Sequence, residues 1–367
     1  MKIGILTFFE SDNYGTVLQA YALQSYLEDL GHSAILIHLK RNVNAKSVHF
    51  KPAGRKYTLK QRIWNHIIIQ KTAKMSEYKK EKFRKFREEY LNITSVCYES
   101  EKDFLEDMHN YDLFISGGDQ IWNPCHKVFS LNYMLKFLPE GYPRISYGSS
   151  FGVDVINDEI VLAGMANALK KYAEISVREA SGVEIVSQMG LEAHRVVDPV
   201  FLCGNKWHDW VDKESPVRKK YGVIYALIDY ADECDAKIKK YAKDNHLKMI
   251  ILPENRRNCM NGYKKCFDLS PIEFINYIAH SEIVFTNSFH GLAFAILFHK
   301  KVVILNPVSE EAKSKQSRLL NLLETIGIEQ RDFESLNDSI DYEKVQMKLD
   351  EMINESKDYL VKAIEGN

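Results

Sequence analysis

Apolar residues along this chain fall into short runs, separated by stretches in which they recur every three or four positions. Residues 3–9 form the first run and read as a strand. Residues 10–15 are a polar loop rich in turn formers. Val17, Leu18, Tyr21, Ala22, Ser25, Tyr26 and Leu30 then repeat at helical spacing, and Gly31 stops the helix. Residues 34–39 read as a second strand. This βαβ unit predicts a parallel sheet covered by helices. The alternation resumes with predicted strands at 113–116, 144–147, 174–177 and 194–197, each ending in polar or glycine-rich residues. Such loops gather on one edge of a parallel sheet.

The pattern weakens between Gly204 and Pro216, around Trp207 and Trp210. A second α/β set follows, with strands expected at 222–228, 248–252, 283–285 and 302–305. From about Asp341 the tail is charged and reads as a helix. The expected fold is therefore α/β with two Rossmann-like domains, GT-B-like, with an interdomain cleft. The expected limits are 1–205 for an N-terminal α/β domain, carrying a basic helical insertion at about 40–100. A C-terminal α/β domain spans 206–340 and a C-terminal helix 341–367. A length of 367 residues exceeds what one core usually sustains, which agrees with two domains.

Charge changes the picture in one place. The whole chain has a formal net charge of −1, which gives no reason to expect nucleic acid. Residues 40–90, however, hold sixteen Lys/Arg against four Glu. Ile63, Trp64, Ile67, Ile68, Phe83, Phe86 and Tyr90 supply an apolar stripe, so one or two basic amphipathic helices are expected. Such a segment either covers the N-terminal sheet or makes peripheral contact with an anionic membrane or glycan carrier. No apolar run is long enough to cross a bilayer, and the first residues lack the features of a signal peptide. The expected location is cytoplasmic, with peripheral contact at the inner membrane face as the added reading. The six cysteines are scattered, and the pair Cys259 and Cys266 fits no zinc spacing, so free thiols and no metal are expected.

The sharpest chemical signal is Thr286-Asn287-Ser288-Phe289-His290-Gly291. It joins a predicted buried strand to a predicted helix, which places His290 in a strand-to-helix loop. Ligands of open α/β sheets bind at such carboxyl ends, and a helix N-terminus favours an anion. A histidine there points to proton transfer on a substrate bearing phosphate or carboxylate.

Several further pieces, taken in order, resemble the polysaccharide pyruvyl transferases. They are Lys2-Ile-Gly-Ile-Leu-Thr7, Asp12-Asn-Tyr-Gly15, Leu18-Gln-Ala-Tyr-Ala-Leu-Gln24, Gly117-Gly-Asp-Gln-Ile-Trp-Asn-Pro124 and Tyr147-Gly-Ser-Ser-Phe-Gly152. Ile175-Ser-Val-Arg-Glu179, Val197-Asp-Pro-Val200, Ser288-Phe-His-Gly291 and Ser317-Arg318 complete them. Asn287 stands where the family often has Asp, and Gly118 where it often has Ser. The resemblance implies transfer of a pyruvyl group from phosphoenolpyruvate to a sugar of a polysaccharide or lipid-linked glycan precursor, forming a ketal. Phosphoenolpyruvate is then a substrate, and no cofactor is implied. It also implies that His290 and Arg178 are catalytic and face one cleft, with Arg178, Ser288, Phe289, His290, Gly291 and Arg318 binding the donor. Asp12, Asn13, Asp119, Gln120 and Trp122 would meet the acceptor.

Each residue also has a structural reading. His290 can be a capping residue, and Arg178 can pair internally with Glu179. Asp119 and Gln120 can cap the next helix, as Asp12 and Asn13 can cap the helix expected from Thr16. Arg318 is either a second anion ligand or a surface ion pair. His126, His194 and His299 lack motif context and read as structural. A nucleotide-sugar glycosyltransferase is the alternative activity, because the architecture is shared.

Overall fold

The structure, a computed structural model, describes residues 1–40, 59–126, 128–253, 263–308, 316–329, 331–336 and 338–367. The chain divides into two units. Unit 1 contains Met1–Val48, Glu88–Gly204 and Gln346–Asn367, and unit 2 contains His49–Arg87 and Asn205–Val345.

Unit 1 is built on β1 (Lys2–Leu6), β2 (Ser33–Leu36), β3 (Leu113–Gly117) and β4 (Arg144–Tyr147), in the parallel order β2-β1-β3-β4. β5 (Ser176–Val177) and β6 (His194–Arg195) form a short parallel pair beside β4, joined to it through Ile145–Glu174 and Ser149–Val177 bridges. β1 to β4 are buried along most of their length because helices cover a parallel sheet on both faces, whereas β6 is exposed. The covering helices include α1 (Tyr14–Asp29), α3 (Glu101–Leu105), α4 (Glu159–Leu169) and α5 (Ala180–Gln188). Phe104, Phe114, Trp122, Phe151 and Val177 are fully buried in the core.

Unit 2 has one parallel sheet in the order β11-β10-β7-β8-β9. Its strands are β7 (Tyr221–Ala226), β8 (Lys248–Pro253), β9 (Lys264–Lys265), β10 (Ile283–Thr286) and β11 (Lys301–Ile304). The helices are α6 (Lys206–Asp209), α7 (Asp232–Asp244), α8 (Pro271–Ala279), α9 (Phe289–Leu297) and α10 (Ser317–Thr325). Ile224, Ile238, Ile251, Phe285 and Leu305 are fully buried. α8 starts with a capping box, in which Ser270 and Glu273 exchange side-chain to backbone hydrogen bonds.

Two long helices belong to both units. α2 (Leu59–Tyr90) lies mostly with unit 2, and α11 (Tyr342–Glu365) starts in unit 2 and continues in unit 1. The C-terminal helix is thus divided between the units, and of the expected insertion residues 59–87 group with unit 2 while residues 88–100 group with unit 1. The reason for the unit 2 grouping is visible near the end of α2. Phe83 and Phe86 are buried, Phe86 meets Trp210 edge-on, and Lys82 Nζ donates to Glu273 at 2.8 and 3.0 Å. Burial alone would raise the Glu273 carboxyl, but Lys82 and the Ser270 backbone N–H outweigh it and hold it below its ordinary range. The neighbouring basic residues make their contacts within α2 itself, and Lys80, Arg84 and Lys85 remain exposed. Lys79 sits over the Phe83 ring, Lys80 pairs with Glu77, and Arg84 and Lys85 pair with Glu81. The first part of the predicted basic segment, residues 41–58, lies outside the described residues, as does Cys259. No helix among the described residues is long and apolar enough to cross a membrane.

Candidate functional site

The candidate residues fall into two groups, one at the carboxyl edge of each sheet. In unit 2 the strand order turns back between β7 and β10, because β8 and β9 extend to one side of β7 and β10 and β11 to the other. The crevice outside such a switch point is where open α/β sheets bind ligands. β10 ends at Thr286, and α9 begins three residues later. His290 is therefore the second residue of a helix, not a loop residue as expected, and it is 3% exposed.

Every residue around it has a positional reason. Thr286 Oγ1 donates to Tyr225 O at 2.6 Å and accepts from Ser288 N at 3.0 Å, which tightens the strand-to-helix turn. Asn287 Oδ1 accepts from Leu227 N at 2.8 Å and Ile228 N at 3.3 Å, and its Nδ2 donates to Ile228 O at 2.7 Å. The asparagine amide uses its donor and its acceptor together, which a carboxylate cannot do. Ser288 is the N-cap, and its hydroxyl accepts from Gly291 N at 3.3 Å. A Cβ on Gly291 would stand 2.4 Å from Thr286 Oγ1, so only glycine lets α9 descend this close to β10. Phe289 packs its ring edge-on to His290. Arg318 is the second residue of α10 and half-buried, and α10 packs on α9.

In unit 1 the order turns back between β1 and β3. Here the edge is charged. Arg178, 6% exposed, follows β5 and meets three carboxylates. It donates to Asp119 at 2.7 Å, to Glu179 at 3.0 and 3.2 Å, and to Asp198, and also reaches Ser150 Oγ at 3.2 Å. Burial alone would favour the neutral guanidine. Asp119, Glu179 and Asp198 outweigh it and raise the pKa well above the ordinary value. Asp119 is the most exposed of the three, at 23% for its side chain.

The remaining unit 1 candidates separate. Asn13 is the N-cap of α1, with Oδ1 accepting from Thr16 N at 3.2 Å, and Asp12 precedes it, half-buried. Gln120 takes a left-handed conformation, φ 52°, and accepts from Asn123 Nδ2 at 2.9 Å. Asp119 and Gln120 thus hold a loop together and cap no helix. Trp122 requires correction as an acceptor residue. It is fully buried, and its Nε1 donates to Ser116 Oγ at 3.1 Å and Tyr133 O at 3.2 Å, so it belongs to the core. His126, His194 and His299 each lie against an aromatic ring, of Phe8, Tyr359 and Tyr342.

Sequence reasoning offered Glu179 as a partner of Arg178 but missed Asp119, Asp198 and Ser150 in that role. Glu179, Asp198 and Ser150 lie in quoted motifs, and their positions at strand ends were the available signal. Glu10 and His38 gave none. They meet at 2.7 Å, both about a third exposed, where the chain leaves β1 and β2. Among the described residues no group of three or more His, Cys, Asp or Glu side chains is placed to hold a metal.

Known structures share this architecture. A putative UDP-N-acetylglucosamine 2-epimerase from Listeria monocytogenes superposes with a TM-score of 0.52 at 9% identity, covering 96% of this chain and 91% of that one. A UDP-GlcNAc 2-epimerase from Neisseria meningitidis, bound to UDP-GlcNAc, gives 0.51 at 8% identity and covers 100% of both chains. At such identity the relation is one of fold, α/β with two Rossmann-like units of GT-B-like class. No curated protein matches the chain by sequence. The sequence model of the polysaccharide pyruvyl transferase family does match, from residue 13 to 309, a span that contains the Arg178 cluster and the turn at His290. By that match this chain belongs to the polysaccharide pyruvyl transferase family.

Proposed function

We propose that the protein transfers the pyruvyl group of phosphoenolpyruvate to two hydroxyls of a sugar, closing a ketal and releasing phosphate. The observation that carries this reading is His290 in the first turn of α9, at the switch point of the unit 2 sheet. The helix dipole there favours the phosphate or carboxylate of the donor. The imidazole beside it can hand a proton to the donor's methylene carbon, leaving positive charge at the adjacent carbon. One acceptor hydroxyl adds to that carbon and gives up its proton. The carbon–oxygen bond to phosphate breaks, and the second hydroxyl adds in its place. Of the two hydroxyl protons, one is balanced by the new methyl group and the other leaves with phosphate. Phosphoenolpyruvate is the donor substrate, and the scheme calls for no metal or other cofactor.

In this reading Ser288, Phe289 and Gly291 shape the donor end, and Arg318 is a candidate second anion ligand. Arg178 is the donor-binding candidate of unit 1, with Asp119 its most exposed partner. Asp12, Asn13, Asp119 and Gln120 are the acceptor-side candidates. The acceptor is a polysaccharide or lipid-linked precursor, met in the cytoplasm. Peripheral membrane contact would run through residues 40–90, where the exposed basic side chains at 80, 84 and 85 pair with Glu77 and Glu81 of the same helix.

Phosphate release from phosphoenolpyruvate, measured against a panel of glycan acceptors, tests the proposal. Acceptor-dependent release is the expected result. Turnover of nucleotide sugars, with none of phosphoenolpyruvate, would replace this reading with a glycosyltransferase.

A further inference from the structure

Among the described residues three arginines are more than nine-tenths buried: Arg144, Arg178 and Arg331. A guanidinium keeps its charge at every physiological pH, so each must be compensated where it lies. Arg178 has three carboxylates. Arg144 donates to four backbone carbonyls, those of Leu135, Leu138, Pro139 and Tyr142. Arg331, 4% exposed, donates through Nη2 to one carbonyl, that of Asp338, at 3.0 Å. Its Nε is buried without a partner.

No carboxylate among the described residues pairs with Arg331. Asp332, next in the chain, directs Oδ1 to the backbone N–H groups of Glu334 and Ser335 at 2.8 and 3.1 Å. The position is fixed by main chain, since Arg331 O accepts from Ile304 N at 2.8 Å beside the last residue of β11. The Tyr342 phenol is raised chiefly by burial, and the nearby Arg331 charge opposes that rise. An uncompensated buried charge is destabilising, whereas a guanidinium facing an oxyanion gains two parallel, charge-assisted hydrogen bonds.

We propose that Arg331 is the core of a binding site in unit 2 for a small oxyanion, a phosphate or a carboxylate, held at the Nε edge of the guanidinium. The site lies beyond residue 309, where the family match ends, against the end of β11, whose Ile304 pairs with Thr286 of β10.

Thermal unfolding of the full chain tests this, in chloride, phosphate and acetate buffers of matched ionic strength. Phosphate or acetate is expected to raise the wild-type Tm by about 2–4 °C over chloride. Arg331→Met is expected to lose that increment and to melt no lower than wild type in chloride, because it removes an unpaired buried charge. The phosphate and acetate arms separate the two ligand chemistries. Anion bound elsewhere, or a general salting effect, would raise both chains alike and overturn the proposal. An equal loss of Tm for Arg331→Met in every buffer, or no specific increment in wild type, would also overturn it. If Arg331→Met does not fold, Arg331→Lys decides. It keeps the charge but not the fork, and should need about tenfold more anion for the same increment; an unchanged requirement rejects the site.

Discussion

The two sheets present carboxyl edges of opposite character. In unit 1 the edge is charged, with one guanidinium among Asp119, Glu179 and Asp198, and a second acid–base pair at Glu10 and His38. In unit 2 the turn into α9 is made from neutral groups, Thr286, Asn287 and Ser288, tied to the backbone of Tyr225, Leu227 and Ile228. Both edges come from the same strand-turn-helix pattern, yet they suit different ligands. A neutral helix start leaves the dipole available to an anion. A guanidinium among three carboxylates meets an anion only by giving up one of them, while the carboxylates accept hydrogen bonds from hydroxyls.

Removing the histidine should break the unit 2 side of this comparison most severely. His290→Ala is expected to lower turnover by roughly two to four orders of magnitude, as loss of general acid–base catalysis does. Phosphate-release kinetics on the folded variant measure it, and near-normal turnover would take the proton-transfer role from this edge.

On the unit 1 side, Arg178→Met leaves three carboxylates facing one another in a buried site. The expected loss is about 3–5 kcal/mol of stability, read by denaturant unfolding. Arg178→Lys should retain part of the stability. If Arg178 also holds the donor, that variant will bind phosphoenolpyruvate more weakly by calorimetry, by a few kcal/mol at most. Equal donor affinity would leave Arg178 as the residue that positions its carboxylates.

The contrast can be sharpened by charging the neutral edge. Asn287→Asp removes the donor to Ile228 O and sets a carboxylate against the start of α9. We expect the donor's KM to rise about five- to tenfold, equivalent to about 1–1.4 kcal/mol, with a smaller change in kcat. A variant with unchanged KM would show that donor anions do not approach this turn.

The smallest effect concerns Lys82 and Glu273, which are half-exposed. Glu273 has a lowered folded pKa, so its contribution is present above the unfolded carboxylate pKa and fades as pH falls through the folded one. Lys82→Met should cost about 0.5–1 kcal/mol near neutral pH and nearly nothing in acid, below both values. A loss that persists unchanged in acid would assign the effect to packing of the lysine stem.

Much of the fold was legible because buried parallel strands are continuous apolar runs. The runs at 113–116, 144–147 and 248–252 match β3, β4 and β8 within a residue. The turn at Ser288 was legible because its residue types serve one local geometry. What sequence did not disclose depends on distant partners. Trp122 stands in a polar-looking motif, yet Ser116 and Tyr133 draw its indole into the core. Arg178 meets Asp198, twenty residues on, only because β5 and β6 pair. Glu10 finds His38 only after β1 and β2 align with Ile5 opposite Leu36. The basic helix carries a periodicity that announces an apolar face but not the surface it covers.

The Asn287 amide has a consequence for anyone recombining members of this fold. It fastens the entry to α9 onto residues 227 and 228, sixty positions earlier in the chain. A graft that moves the segment around His290 without the matching end of β7 would leave three polar contacts unmet and let the helix start drift. The heritable module is therefore discontinuous: residues 225–228 and 286–291 travel together, or the histidine arrives in the wrong place.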